Sequence, residues 1–217
     1  MDFFLDSTDL EEIKRLNNLG IIDGLTTNPS LIYKAKTPFE KLIKNICSEI
    51  KGPVSVETVA ESSSQMINQG VRLSKMAKNI VVKLPMTWEG IKACVELSKI
   101  NINTNVTLCF STSQAILAAK AGATYVSPFI GRLDDANLDG VQLIREIKQI
   151  YSNFNYETKI LAASIRTKNH VSQSAIAGAD VATIPPKVFD TLVNHNLTDQ
   201  GLEIFNSDWN KSGQKIL

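Results

Sequence analysis

Asn79-Ile80-Val81-Val82-Lys83-Leu84-Pro85 is a short apolar run that contains a single lysine. β-Branched and aliphatic residues that end at a proline are typical of a strand buried on both faces, as in parallel sheets. An ammonium group is costly to remove from water, so Lys83 must pair with an acid, reach solvent along its stem, or lose its proton. A deprotonated lysine is a nucleophile for a carbonyl group. The stretch alone leaves these interpretations open and favours a packed stem whose head group reaches water.

The composition is that of an ordinary soluble domain, with 43% hydrophobic and 21% charged residues among 217. Lys and Arg number 23 against 22 for Asp and Glu, and the formal charge of +1 indicates neither nucleic acid nor an anionic membrane as a partner. Residues 1–6 lack the basic region of a signal peptide, and no apolar run reaches membrane-spanning length. We expect one cytoplasmic domain over residues 1–217.

The cysteines at positions 47, 94 and 109 lie far apart and form no CxxC pair, and the chain has two histidines. This spacing favours buried structural thiols over a disulfide framework or a zinc site. We therefore expect no metal.

Short apolar runs alternate with helical patterns along the whole chain, which is typical of βα units around a parallel sheet. The predicted strands are 3–5, 21–25, 54–57, 79–85, 105–109, 124–127, 159–163 and 180–184. Ser7 or Thr8 is expected to cap the first helix. Eight such units in this length predict a single (β/α)8 TIM barrel of the α/β class. An open doubly wound sheet is the alternative, and the absence of GxGxxG after the first strand disfavours it.

One helix, 199–212, remains after the eighth unit and carries Leu202, Phe205 and Trp209 on one stripe. Barrel closure does not require this helix. We expect it to pack on a neighbouring subunit, with packing across its own barrel mouth as the alternative.

The predicted strands end in polar residues, and in such a barrel the C-terminal ends of the strands face one another across one mouth. Four of these residues, Asp6, Glu57, Lys83 and Thr107, each close a run that is otherwise apolar. The other polar residues at or just after strand ends are Thr26, Asn28, Asn105, Ser127, Arg132, Ser164 and Arg166. Because convergent polar groups on independent strands indicate a site, the pattern shifts the interpretation of Lys83 to an imine-forming nucleophile.

An aldol reaction through an imine gives these residues roles. Glu57 is expected to move protons through a water fixed by the Thr107 hydroxyl, and Asp6 to take the proton of a substrate hydroxyl when the carbon–carbon bond breaks. Asn28 and Asn105 are expected to hold substrate hydroxyls without charge. For each, a polar group bonded to a neighbouring loop is the alternative.

Arg132 and Arg166 follow the sixth and seventh strands. Each alone would more often form a surface salt bridge. Two guanidinium groups at adjacent strand ends, together with the Ser164 hydroxyl, predict a site for a phosphomonoester.

Taken in this order, the residues resemble the transaldolase family over nearly the whole chain. The matching segments are 4–7, 24–31, Glu57, 80–85 with Thr87 and 89–90, 105–108, 127–132 and 163–166. The Thr-Thr-Asn-Pro-Ser loop at 26–30 is the most specific of them. The resemblance implies a (β/α)8 barrel that transfers a dihydroxyacetone unit between sugar phosphates through a lysine imine, without metal or organic cofactor. By length, the chain is similar to the small subfamily that includes the fructose-6-phosphate aldolases.

Two positions separate the subfamilies in this resemblance. Transaldolases carry Glu and Phe where this chain has Glu57 and Phe129, whereas fructose-6-phosphate aldolases carry Gln and Tyr. The resemblance thus implies a pentose phosphate pathway transaldolase that moves dihydroxyacetone from sedoheptulose 7-phosphate or fructose 6-phosphate to erythrose 4-phosphate or glyceraldehyde 3-phosphate. It also implies a pentamer-based homo-oligomer or decamer that exchanges its C-terminal helix. A fructose-6-phosphate aldolase is the alternative, and an isomerase or a non-catalytic phosphosugar-binding barrel is the alternative from another class.

Overall fold

Eight parallel strands form a closed barrel in the computed structural model, which describes residues 1–216. In chain order they are β1 Asp2–Asp6, β2 Gly24–Thr26, β3 Val54–Glu57, β4 Ile80–Pro85, β5 Thr104–Cys109, β6 Tyr125–Pro128, β7 Lys159–Ala162 and β8 Val181–Ile184. Each strand pairs with the next, and β1 closes the barrel on β8, where Phe4 is opposite Thr183. The predicted barrel is confirmed and the open sheet is wrong. Leu217, which the predicted domain includes, lies outside the described residues.

Eleven helices lie within residues 1–216, and none of them is long and apolar enough to cross a membrane. They are α1 Leu10–Asn17, α2 Pro29–Ala35, α3 Phe39–Glu49, α4 Ser63–Ser74, α5 Trp88–Lys99, α6 Thr112–Lys120, α7 Ile130–Asp135, α8 Gly140–Phe154, α9 Lys168–Ala177, α10 Pro186–Phe189 and α11 Asn196–Ser212. The short helices α2 and α7 follow β2 and β6 directly, so both lie at the mouth. The C-terminal helix begins at Asn196, ahead of the predicted start at 199.

The apolar core has two layers, and their alternation along β4 orients the lysine. Val81 belongs to a cluster inside the barrel that also contains Phe4 and Leu161. Val82 belongs to the larger cluster between the barrel and the helices. Because successive side chains of a strand point to opposite faces, Lys83 follows Val81 into the barrel interior.

The predicted second strand begins too early. Ile21 is 51% exposed, and β2 starts at Gly24. Asp23, which separates them, accepts a hydrogen bond from the Phe3 N–H through its carboxylate at 2.8 Å. The Asp23 side chain therefore takes the place of a backbone acceptor for β1 just before β2 begins.

The residue that caps α1 is Asp9, not Ser7 or Thr8. The Asp9 carboxylate accepts hydrogen bonds from the N–H groups of Glu11 and Glu12. Ser7 accepts the Asp9 N–H instead, and the Thr8 hydroxyl donates to the Leu31 carbonyl of α2 at 3.0 Å. A carboxylate is also a better match than a hydroxyl to the positive end of the helix.

All three cysteines are free thiols, with Cys94 and Cys109 buried and Cys47 half-buried. Burial raises the pKa of Cys47 to about 11 and that of Cys109 to about 12. These thiols stay protonated near neutral pH, which makes them poor nucleophiles.

Candidate active site

Lys83 lies inside the barrel and is 5% exposed. Its Nζ donates to the Thr27 carbonyl at 3.0 Å and lies 3.0 Å from Glu57 Oε2. Glu57 and Lys83 are register partners on β3 and β4, so the pair is built into the strand pairing. The head group is held by an acid and a backbone carbonyl, and the side chain is only 6% exposed.

Asp6, at the end of β1, is the second acid near the lysine. Its Oδ1 accepts the Thr26 hydroxyl at 3.1 Å, and Thr26 Oγ1 lies 2.6 Å from Thr183 Oγ1. Burial raises the pKa of Asp6, against the opposing effects of Lys83 and the Thr26 hydrogen bond. A carboxylate with a raised pKa is suited to accept a proton near neutral pH.

Asn105 and Thr107 come from β5 and are both buried. Asn105 accepts the Ser127 hydroxyl at 2.7 Å and donates to Ser55 Oγ at 3.1 Å, which ties β5 to two other strands. Thr107 Oγ1 is buried and has no hydrogen-bond partner among residues 1–216. Since buried hydroxyls are nearly always bonded, this group is an exception within the described chain.

A cavity of about 150 Å³ opens at the C-terminal ends of the strands, and we name it the mouth cavity. Its lining includes the reactive and hydroxyl groups Asp6, Thr26, Lys83, Ser127 and Thr183. Thr183 was not among the predicted site residues; four further residues that were predicted, Asn28, Phe129, Arg132 and Ser164, also line the cavity. The structure thus brings eight of the twelve predicted site residues onto one cavity.

Four predicted site residues do not line the mouth cavity: Glu57, Asn105, Thr107 and Arg166. Glu57 contacts Lys83 from the side and lines a second, mainly apolar cavity of about 390 Å³. Arg166 is exposed, and its guanidinium binds the Asp135 carboxylate through both nitrogens, with 2.6 Å between Nη2 and Oδ2. In this structure Arg166 therefore forms a surface ion pair.

Arg132 lies at the rim, where its guanidinium carbon is 5.1 Å from the centroid of the Phe129 ring. Phe129 also contacts Phe110 edge to face. Ser164 has a left-handed backbone, with φ of 59°, at the start of the loop after β7. The rim thus contains the Arg132 guanidinium, stacked over the Phe129 ring, and the Ser164 hydroxyl.

Asn28 has a structural role besides its place on the lining. Its side-chain oxygen accepts the Leu31 N–H at 3.0 Å and caps α2. This oxygen is therefore used in local backbone bonding, which was the alternative to holding a substrate hydroxyl.

Sequence reasoning missed three groups: the Thr183 hydroxyl, the Ser55 hydroxyl and the Thr27 carbonyl. Thr183 stands two residues after the inward-facing Val181, so strand alternation could have found it. A backbone carbonyl gives no such signal.

Comparison with known proteins agrees with this geometry. A family model described as Transaldolase/Fructose-6-phosphate aldolase matches residues 3–216. Proteins named "Probable transaldolase" from Rhizobium meliloti, Dinoroseobacter shibae and Paracoccus denitrificans are 57%, 56% and 55% identical to the chain. Each match covers 100% of both chains.

Two solved structures share the fold at low sequence identity. A thiamine phosphate pyrophosphorylase from Pyrococcus furiosus has a TM-score of 0.59 at 14% identity, over 88% of this chain and 93% of that one. A mutant flavocytochrome b2 with pyruvate bound has a TM-score of 0.62 at 14% identity, over 98% of this chain and 64% of that one. These likenesses concern the barrel alone.

Proposed function

We propose that this chain, which belongs to the transaldolase/fructose-6-phosphate aldolase family, is a cytoplasmic transaldolase of the pentose phosphate pathway. It transfers dihydroxyacetone from sedoheptulose 7-phosphate or fructose 6-phosphate to erythrose 4-phosphate or glyceraldehyde 3-phosphate. The observation that carries the proposal is the buried Lys83, paired with Glu57 at 3.0 Å and exposed to the mouth cavity beside Asp6. The reaction uses only the chain's own amine and acids.

Imine formation begins when Lys83 passes its proton to Glu57. The free amine attacks the ketone carbon of the donor, and the carbonyl oxygen takes a proton from the attacking nitrogen to give a neutral carbinolamine. Glu57 then protonates the departing hydroxyl, which leaves as water and gives the iminium ion. The unpartnered Thr107 hydroxyl supports a role in holding that water.

Carbon–carbon cleavage depends on Asp6. Its carboxylate takes the proton of the C4 hydroxyl, the electron pair of the C3–C4 bond moves toward the iminium nitrogen, and the aldose product leaves. The enamine left on Lys83 adds to the acceptor aldehyde, whose oxygen takes the proton back from Asp6. Hydrolysis of the new iminium then frees the lysine. Because burial raises the pKa of Asp6, its protonated form is accessible during this cycle.

The rim binds the substrate phosphate. Arg132 and Ser164 line the mouth cavity, and Arg166 lies on the loop that carries Ser164. A phosphate that recruits Arg166 shares its guanidinium with Asp135 or displaces that carboxylate.

The transferase role, rather than aldolase release, is supported by Glu57 and Phe129. The Phe129 ring lines the cavity and carries no hydroxyl to assist proton delivery to the enamine. The enamine therefore waits for an acceptor. Efficient release of free dihydroxyacetone without an acceptor would instead support a fructose-6-phosphate aldolase.

The test is borohydride reduction in the presence of fructose 6-phosphate, followed by peptide mass mapping. We expect a reduced three-carbon adduct on Lys83 and none in the Lys83→Met variant. Lys99→Met is the matched control, because Lys99 is exposed and pairs with Glu96 on the surface of α5. An unlabelled Lys83 contradicts the proposal.

The same variant separates the other class of function. An isomerase or a phosphosugar-binding barrel would tolerate Lys83→Met. We expect instead that Lys83→Met abolishes transfer, by on the order of 10³-fold or more, while phosphosugar binding is retained.

A further inference from the structure

The loop between β7 and α9 carries Ser164 and Arg166, and the end of α7 holds it in place. Asp135 binds the guanidinium of Arg166 with both carboxylate oxygens. Asp134 Oδ2 lies 3.0 Å from His170 Nε2, and His170 Nδ1 accepts the backbone N–H of Arg166 at 3.3 Å. Two adjacent aspartates therefore fix both the side chain and the backbone of one arginine.

Helix capping accounts for only part of this arrangement. Thr167 caps α9 by accepting the His170 N–H at 3.2 Å, and a residue at the position of His170 often reaches back to a free N–H at the helix start. Glu or Gln is the usual residue there. The His170 imidazole accepts such an N–H, that of Arg166, with Nδ1. Its proton therefore lies on Nε2, which donates to Asp134 on α7.

Asp134 also ties in a third element. Its Oδ1 accepts the Gly140 N–H at the start of α8 at 3.2 Å. A carboxylate that accepts from both α8 and α9 fixes the spacing of the two helix starts. The side chain of His170, 16% exposed, lies at the centre of this contact.

The loop and α7 meet without room for adjustment at Gly131. A Cβ on Gly131 would clash with the Ser164 carbonyl and lie 2.8 Å from Arg166 Nε. A shift of the loop therefore moves Ser164 and Arg166 together, relative to Arg132 on the same α7. The position of the phosphate-binding groups depends on the anchor that His170 supplies.

We infer that His170 and Asp134 are positioning residues for phosphate recognition, an inference that rests on the proposed function. Neither lines the mouth cavity, and neither contacts Lys83 or Asp6 in the described chain. They hold the loop that presents Ser164 and Arg166. Removal of the anchor weakens binding of the phosphate group and leaves imine chemistry on an unphosphorylated ketone unchanged.

The experiment compares His170→Ala, His170→Asn and Asp134→Ala. The Asn oxygen takes the place of Nδ1, so His170→Asn keeps an acceptor for the Arg166 N–H and loses the link to Asp134. The matched control is His195→Ala, because His195 also caps a helix, accepting the Leu197 N–H at the start of α11. The readouts are KM and kcat with fructose 6-phosphate, calorimetric binding of inorganic phosphate, and borohydride trapping with dihydroxyacetone.

We expect His170→Ala and Asp134→Ala to raise KM and the Kd for phosphate by about tenfold, with kcat within about twofold, since a lost polar anchor has this magnitude. His170→Asn should recover part of the loss, and His195→Ala should match the unaltered protein. Trapping with dihydroxyacetone should be equal in all folded variants. If His170→Ala does not fold, His170→Asn carries the comparison with the unaltered protein.

Unchanged phosphate binding in folded His170 and Asp134 variants would overturn the inference, as would an equal loss of trapping with dihydroxyacetone. Failure of the proposed function gives a different result, namely no trapped imine on Lys83 in the unaltered protein. Calorimetry with inorganic phosphate needs no imine, so the two outcomes are distinguishable.

Discussion

Lys83 and Asp6 are two ionisable side chains in the interior of one barrel, and they are stabilised in different ways. Lys83 has a direct partner in Glu57 and a backbone acceptor in Thr27. Asp6 has the hydroxyl of Thr26, and burial still raises its pKa. Burial therefore disfavours the ionised form of Asp6 in the folded protein. The proposed proton transfer needs that ionised form, because the carboxylate must accept a proton.

Asp6→Asn tests the free-energy cost of burying the Asp6 carboxylate together with its proposed catalytic role. Asn keeps an acceptor for the Thr26 hydroxyl but takes no proton, so we expect activity to fall by about 10²- to 10⁴-fold. The pKa of Asp6 in the folded protein lies above the ordinary value of 3.8 that applies to the unfolded chain. Ionisation of Asp6 therefore destabilises the folded protein as the pH rises from 3.8 through the folded-state pKa. The variant should therefore gain stability at pH 7 and gain none at pH 3.

The measurement is urea unfolding at both pH values, together with the rate of transfer. Asp208→Asn is the control, because this α11 side chain is 68% exposed. A fully active Asp6→Asn would remove Asp6 from the mechanism.

Polar residues at strand ends made most of the mouth predictable from the sequence. Lys83 and Asp6 were found because each closes an apolar run, and Ser127 because it ends a predicted strand; the barrel brings such ends together. The pairing of Arg166 with Asp135 was not found, because an exposed guanidinium chooses among partners that depend on the path of two loops. Its predicted contact with phosphate stays a prediction.

At the scale of helices, Glu89 joins α4 to α5, the two helices that follow the strands of the Lys83–Glu57 pair. Glu89 Oε1 lies 2.6 Å from Lys92 Nζ, and Oε2 accepts the Ser63 N–H at 2.9 Å. The bond from Lys92, and after it the Ser63 N–H, lower the pKa of Glu89 to about 2. A carboxylate at the start of α4 also matches the positive end of that helix.

Glu89→Gln should lower the melting temperature at neutral pH. Because the folded-state pKa lies below the ordinary 4.5, the stabilising effect of the carboxylate is present above pH 4.5 and is lost as pH falls toward about 2. The difference between variant and unaltered protein should therefore shrink with acidification. Melting curves across this range, with Glu96→Gln on the same helix as control, check it; a constant difference would contradict it.

The short mouth helix α7 shows where prediction from pattern ends. It has six residues and no side-chain cap, so it gives no helical periodicity to detect. Its residues Asp134, Asp135 and Gly131 nevertheless contact α8, α9 and the loop between β7 and α9. Such contacts follow from the closed barrel, which brings consecutive βα units side by side.

At the scale of the whole molecule, α11 leaves an apolar surface unpaired. Within the described single chain it has no buried residue, and Leu202, Phe205 and Trp209 are 54%, 71% and 43% exposed. Exposed apolar side chains on one stripe are typical of an interface. We propose that α11 packs on a neighbouring copy of the chain in a pentamer-based oligomer.

The double variant Leu202→Asp with Phe205→Asp tests this packing. We expect a lower molar mass by light scattering after size exclusion, because two charges on the stripe oppose burial in an interface. The melting of the barrel within each subunit should persist. Glu203→Gln, on the same helix, is the control, and an unchanged mass in the double variant would refute the proposal.

The closed barrel links Asp6 on β1 to Thr183 on β8 through the Thr26 hydroxyl, although the two residues are far apart in the chain. During synthesis on the ribosome, the barrel therefore waits for its eighth strand before the mouth cavity, which Thr183 lines, is complete. A nascent chain that has emerged only through β7 already contains Lys83 and Glu57, yet it lacks Thr183, which lines the mouth cavity together with Asp6. Closure of the barrel, and with it of the mouth cavity, thus has to follow the synthesis of β8.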